Sequence, residues 1–98
     1  MPLRIDPEQN EVRALKAITD WRGKGVVEVG CGEGRLTRRL ARLGAIVHAS
    51  DPDAQLIRAA RKNVPPSFVR RIQFRVGQAE RLNHESEAFD VVVFSWVL

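Results

Sequence analysis

The sequence predicts an α/β fold in three layers, a parallel sheet of order 3-2-1-4 packed between helices. Three observations predict it. Short β-branched apolar runs alternate along the chain with amphipathic helical runs, the pattern of parallel βαβ units. The first such run ends in a turn with glycine at every second position, Gly30, Gly32 and Gly34, and a helical pattern follows at once. The second run ends close to a carboxylate, Asp51. Right-handed crossovers then set the strand order, and the chain reverses direction between strands 1 and 4. A ligand crevice is expected there, at the carboxyl ends of the strands.

The elements follow in order. Glu11 to Trp21 reads as a helix, with Val12, Leu15 and Ile18 on one face, and Arg22-Gly23-Lys24-Gly25 breaks it. Val26 to Val29 is the first strand; its apolar run is continuous, as in a parallel strand covered on both faces. Arg35 to Leu43 is the second helix, with Leu36, Leu40 and Leu43 in a stripe and Gly44 where a C-terminal cap belongs. Ala45 to Ala49 is the second strand. Asp51 and Pro52 open the third helix: proline suits a first-turn position and the Asp51 side chain is able to cap. Leu56, Ile57, Ala60 and Val64 form its apolar face, and Pro65-Pro66 stops it. Arg71 to Val76 is the third strand; polar residues alternate with Ile72, Phe74 and Val76, which suits an outer strand. Gln78 to Glu87 is a polar connection with a helical turn expected at Ala79 to Leu82, and Phe89 to Leu98 is the fourth strand.

Composition narrows the classes. The 98 residues make one domain at most, and 44% apolar with 29% charged residues is ordinary for a globular protein. No run approaches the ~18 apolar residues of a membrane span, and the first residues are not followed by a signal-peptide core. A cytoplasmic location without a membrane partner is the expectation. Cys31 is the only cysteine, so no internal disulfide forms. Basic residues outnumber acidic ones 16 to 12, mostly as arginine. Arg35, Arg38, Arg39 and Arg42 fall on one helix; Arg58, Arg61 and Lys62 fall on another. Two readings of these side chains stand: solvated outer helix faces, or a phosphate-contacting surface for RNA or DNA.

The glycine turn carries the chemistry. Glycine has no Cβ and takes positive φ, so backbone there can lie close to a ligand. The dinucleotide fingerprint G-x-G-x-x-G would place its third glycine at position 35, which is Arg35. The pattern here, E-x-G-x-G-x-G from Glu28 to Gly34, resembles motif I of the class I S-adenosylmethionine-dependent methyltransferases. That cofactor has an ammonium, a carboxylate and a sulfonium but no phosphate, so Glu28 and Glu33 near the turn are tolerated or useful. Asp51 ends the second strand, where a carboxylate accepts from two adjacent ribose hydroxyls; the plainer alternative is a helix cap. Gly77-Gln78-Ala79-Glu80 resembles the family's segment beside the adenine, with Gln78 where aspartate is usual. Phe89-Asp90 and the apolar run after it resemble the family's fourth strand, with Ser95 and Trp96 facing the methyl group through their backbone. For Trp96 core packing is the plainer role.

The resemblance spans Val26 to Leu98 and is nearest to the small-molecule and quinone-type enzymes. It implies a Rossmann-like fold of which four of seven strands are present. It implies S-adenosyl-L-methionine held by Glu28, Gly30, Cys31, Gly32, Gly34, Asp51, Pro52, Gln78, Ala79, Glu80, Ser95 and Trp96. It implies methyl transfer without a metal to a small-molecule acceptor; RNA as a partner rests on the basic helix faces. The family's acceptor site lies largely after strand 4, so no catalytic base is assigned. An apolar strand with no later partner templates association. The chain is therefore expected to be a piece of a longer protein or to self-associate through residues 89–98. Two alternatives stay open: a non-catalytic nucleotide-binding or assembly module of this fold, and a small NAD-binding unit, which Arg35 disfavours. Cys31 reads as a small turn residue, His48 as a packing residue of strand 2, and His84 as an exposed loop residue; together they make no zinc site.

Overall fold

The computed structural model describes residues 9–77 and 89–95. Helix α1 (Gln9–Ile18) leads into strand β1 (Gly25–Val29), helix α2 (Arg35–Arg42), strand β2 (Ile46–Asp51), helix α3 (Ala54–Lys62), a 3₁₀ turn (Pro66–Phe68), strand β3 (Ile72–Val76) and strand β4 (Val91–Phe94). The four strands form one parallel sheet in the order β3-β2-β1-β4, as the sequence predicts. Val26 to Val29 pair with Val47 to Ser50 on one side and with Val91 to Phe94 on the other. β1 is therefore central, and its Val26, Val27, Glu28 and Val29 are buried.

One face of the sheet holds the core. Leu40 of α2 and Ile57 of α3 pack with Val26, Val47 and Ala49, and Leu15 of α1 and Trp21 join the same cluster. Strand alternation turns Glu28 to this face and Val27 and Val29 to the other. On that other face Ile46, Val92 and Phe94 are exposed, and the His48 ring meets Phe89 edge-on at 4.7 Å. Among the described residues the helices cover one face only; the polar connection expected at 78–87 lies outside them.

The element ends differ from the sequence reading, each for a local reason. α1 stops at Ile18, which is 67% exposed. Trp21 folds back instead, buried, with its indole Nε1 donating to the Leu15 carbonyl at 2.7 Å. Asp51 does not cap α3, and Pro52 is not in its first turn. Asp53 is the N-cap, accepting from Gln55 N and Leu56 N, while Asp51 completes β2. Gly44, at φ 103°, closes α2 as expected. Its N–H reaches the Ala41 carbonyl and the Ala45 N–H reaches that of Leu40, a Schellman pair. The double proline ends α3 and then opens the 3₁₀ turn, which the sequence reading did not contain.

Candidate functional site

The turn after β1 is built from its amides. Gly30 N–H and Cys31 N–H both donate to the Ser50 carbonyl, at 2.8 and 3.0 Å, and Gly34 N–H donates to the Cys31 carbonyl. Gly32 N–H donates to Asp51 Oδ2 at 3.0 Å. Gly30, Gly32 and Gly34 have φ of 76°, 58° and 87°, a region that side chains disfavour. At Gly34 there is also no room: a Cβ would stand 3.1 Å from Phe74 Cζ and 3.4 Å from Ala60 Cβ. At Gly32 a Cβ would meet nothing within 4 Å. The middle of the turn therefore presents bare backbone to open space, while its flanking residues pack inward.

Asp51 joins the turn to the next crossover. It is 8% exposed. One carboxylate oxygen holds Gly32 N–H and the other holds Asp53 N–H at 2.9 Å. A carboxylate has about four acceptor positions, so roughly two stay usable by a ligand's hydroxyls. Pro52 follows it, exposed.

Beneath the turn lies a second carboxylate. Glu28 is wholly buried, with its side chain on the helix side of the sheet. Thr37 Oγ1 of α2 donates to Oε1 at 2.5 Å, and Ser95 Oγ, just past β4, donates to Oε2. The Ser95 N–H also donates to the Val29 carbonyl at 2.9 Å, so the ends of β1 and β4 are tied twice. Ser95 thus turns its hydroxyl inward to Glu28. Burial, together with the Glu28 and Asp51 carboxylates, pushes the Cys31 thiol up to about 12. Such a thiol has almost no thiolate at neutral pH and is no nucleophile.

Of the residues marked from the sequence, Glu28, Gly30, Cys31, Gly32, Gly34, Asp51, Pro52 and Ser95 come together at the carboxyl ends of β1, β2 and β4. Gln78, Ala79, Glu80 and Trp96, and also His84, lie outside the described residues. The sequence reading missed three participants. Ser50 acts through its carbonyl, so its residue type carries no signal. Thr37 shares a helix face with apolar Leu40 and Ala41, and only its burial marks it. Asp53, directly before Ala54, had the visible signature of an N-cap. Among the described residues no group of His, Cys, Asp and Glu is arranged to hold a metal ion.

The site fits an adenosine cofactor that has no phosphate. Four turn amides already have acceptors inside the protein, so they do not form a phosphate cradle of the kind dinucleotide sites use. Open space over Gly32 and a buried, partly satisfied Asp51 suit a sugar with adjacent hydroxyls.

The comparisons agree with this geometry. A family model described as a methyltransferase domain matches residues 26–98. The chain is 46% identical over 79 residues to the mitochondrial ubiquinone biosynthesis O-methyltransferase of Rattus norvegicus, covering 78% of this chain and 23% of that protein. To the ubiquinone biosynthesis O-methyltransferase of Agrobacterium fabrum it is 34% identical over 97 residues, covering 94% of this chain and 38% of that one. It therefore spans well under half the length of these relatives. The solved magnesium protoporphyrin IX methyltransferase of Synechocystis with bound SAM superposes with a TM-score of 0.72 at 26% identity, over 86% of this chain and 40% of that chain. Sequence motif, sheet order and site geometry converge, and the chain belongs to the class I S-adenosylmethionine-dependent methyltransferases, of whose fold it forms the cofactor-side, N-terminal half.

Proposed function

We propose that this chain holds the cofactor for methyl transfer to an oxygen of a small, quinone-type molecule. One observation carries the cofactor part: the turn of Gly30 to Gly34 satisfies its own amides, leaves Gly32 open, and sets the Asp51 carboxylate beside it. The names of the relatives, ubiquinone biosynthesis O-methyltransferases, support the acceptor class.

When bound, S-adenosylmethionine supplies a methyl group on a sulfonium, ready for a nucleophile. The chain's own residues hold and orient. Asp51 takes the sugar hydroxyls, Gly32 admits close approach, and the backbone at Ser95 borders the crevice from β4. Glu28 lies buried beneath the turn and accepts from the Thr37 and Ser95 hydroxyls, which braces the ends of β1 and β4. Alignment of acceptor and donor is the main contribution of such a site, worth about 7–11 kcal/mol in favourable cases.

Calorimetric titration of S-adenosylhomocysteine against NAD tests the cofactor reading. S-adenosylhomocysteine should bind and NAD should not. NAD binding, or no binding of either by folded protein, would overturn it. Transfer of a labelled methyl group by the longest natural form to catechols, with RNA as the competing acceptor, tests the substrate class. Methylation of RNA alone would replace the small-molecule reading.

A further inference from the structure

From Gly34 to Gly77 the chain has ten basic side chains, nine of them arginine, and two carboxylates. Both carboxylates are engaged with backbone: Asp51 with Gly32 N–H and Asp53 N–H, and Asp53 with the first amides of α3. Neither lies on α2 or α3, which contain no acidic residue.

Seven of these charges, those on α2 and α3, share one surface. α2 and α3 pack their apolar residues, Leu40 and Ile57, into the same cluster, so both outer faces look the same way. Arg35, Arg38, Arg39 and Arg42 recur at helical spacing, about 5–6 Å apart; Arg58, Arg61 and Lys62 repeat this on α3. The helices meet at Gly34, where a Cβ would stand 3.3 Å from Arg38 Nη1 and 3.4 Å from Ala60 Cβ. Helix dipoles account for basic residues in the last turns, but they disfavour Arg35 and Arg38, at the start of α2.

We infer that this outer face of α2 and α3 binds the phosphate backbone of a nucleic acid, without reading its sequence. Arginine meets phosphate with two parallel hydrogen bonds, which favours a phosphodiester chain. An amphipathic helix that inserts into a bilayer surface would point apolar side chains outward. The exposed large apolar residues Ile18, Ile46, Val69, Val76, Val92 and Phe94 all lie off these helices. Nor does either helix contain an aromatic residue on which a base could stack, so the binding is driven by charge. The surface adjoins the glycine turn through Arg38, whose Nη1 donates to the Glu33 carbonyl at 2.9 Å, but the inference does not depend on the methyl-transfer reading.

Fluorescence anisotropy with a labelled oligouridine RNA, across a salt series starting near ~50 mM, tests this. Binding should weaken linearly in log–log form. The variant R42Q/R58Q/R61Q/K62Q, all exposed positions on the two helices, should bind at least about tenfold more weakly and lose about three from the slope, at ~0.7 per phosphate contact. Its binding of S-adenosylhomocysteine should equal that of the unaltered protein, a control outside the surface. If circular dichroism shows the fourfold variant unfolded, R58Q/K62Q should give about half the slope change. No RNA binding at the lowest salt, an unchanged slope in folded variants, or capture by phosphatidylglycerol vesicles but not by RNA would overturn the inference.

Discussion

Asp51 Oδ2 accepts a hydrogen bond from Gly32 N–H at 3.0 Å, so the last residue of β2 holds the turn that follows β1. The same carboxylate accepts from Asp53 N–H at 2.9 Å and so sets the start of the next crossover. Asp51→Ala should weaken binding of S-adenosylhomocysteine by about 1.5–3 kcal/mol, the worth of hydrogen bonds to a charged group. Asp51→Asn, keeping one acceptor oxygen, should fall between. Titration calorimetry measures both. Equal affinities in all three proteins would reduce Asp51 to a brace.

The glycines of the turn should separate into two kinds. Gly34→Ala meets both a φ of 87° and the Phe74 and Ala60 side chains, and should cost about 1–3 kcal/mol of stability. Gly32→Ala meets only its φ of 58°, and should cost about 1–2 kcal/mol. Its methyl group would, however, stand where the ligand approaches. Urea unfolding and cofactor titration on both variants should show Gly34→Ala losing more stability and Gly32→Ala losing more affinity. The reverse ranking would place the ligand elsewhere.

Thr37 and Glu28 form a buried pair across α2 and β1. Thr37→Val keeps the shape and removes one donor to the buried Glu28 carboxylate. The expected loss is about 1–3 kcal/mol. Ser95→Ala should cost less, because Ser95 is only partly buried and water can replace its hydroxyl. Urea midpoints decide it; a neutral Thr37→Val would mean that water already serves Glu28.

Cys31 makes stability depend on alkaline pH. Its thiol is held up to about 12 when folded, against an ordinary value of 9.0. Between those values the unfolded chain releases a proton that the folded one retains. Stability is therefore unaffected below the ordinary value and falls above it, at most by about 1.4 kcal/mol per pH unit. Unfolding of the native protein and Cys31→Ala, compared from neutral to alkaline pH, should diverge only above the ordinary thiol range. Parallel curves, or rapid alkylation of the folded protein near neutral pH, would contradict the burial.

Val92 and Phe94 on β4 are 37% and 53% exposed. We propose that this strand, at the edge of the described sheet, templates pairing between copies of the 98-residue chain. Sedimentation velocity should give a species heavier than 11.0 kDa whose share rises with concentration. Phe94→Lys should shift it toward monomer, and a single monomeric boundary at all concentrations would rule the pairing out.

The strand order was legible in the sequence because it depends on pattern: β-branched runs alternating with amphipathic helices admit few topologies. The glycine turn was legible because positive φ selects glycine. What Asp51 and Glu28 hold was not legible. Two of their partners, the Gly32 amide for Asp51 and the Ser95 hydroxyl for Glu28, are 19 and 67 residues away, and residue identity does not say which group a carboxylate meets. Tertiary structure alone decided that Asp53, one crossover on, caps α3 while Asp51 turns back to Gly32. It also decided that Glu28 faces inward to Thr37 and Ser95. The physical reason is register: pairing β1 with β2 and β4 brings three strand ends to one rim, and only that juxtaposition assigns each polar atom its partner.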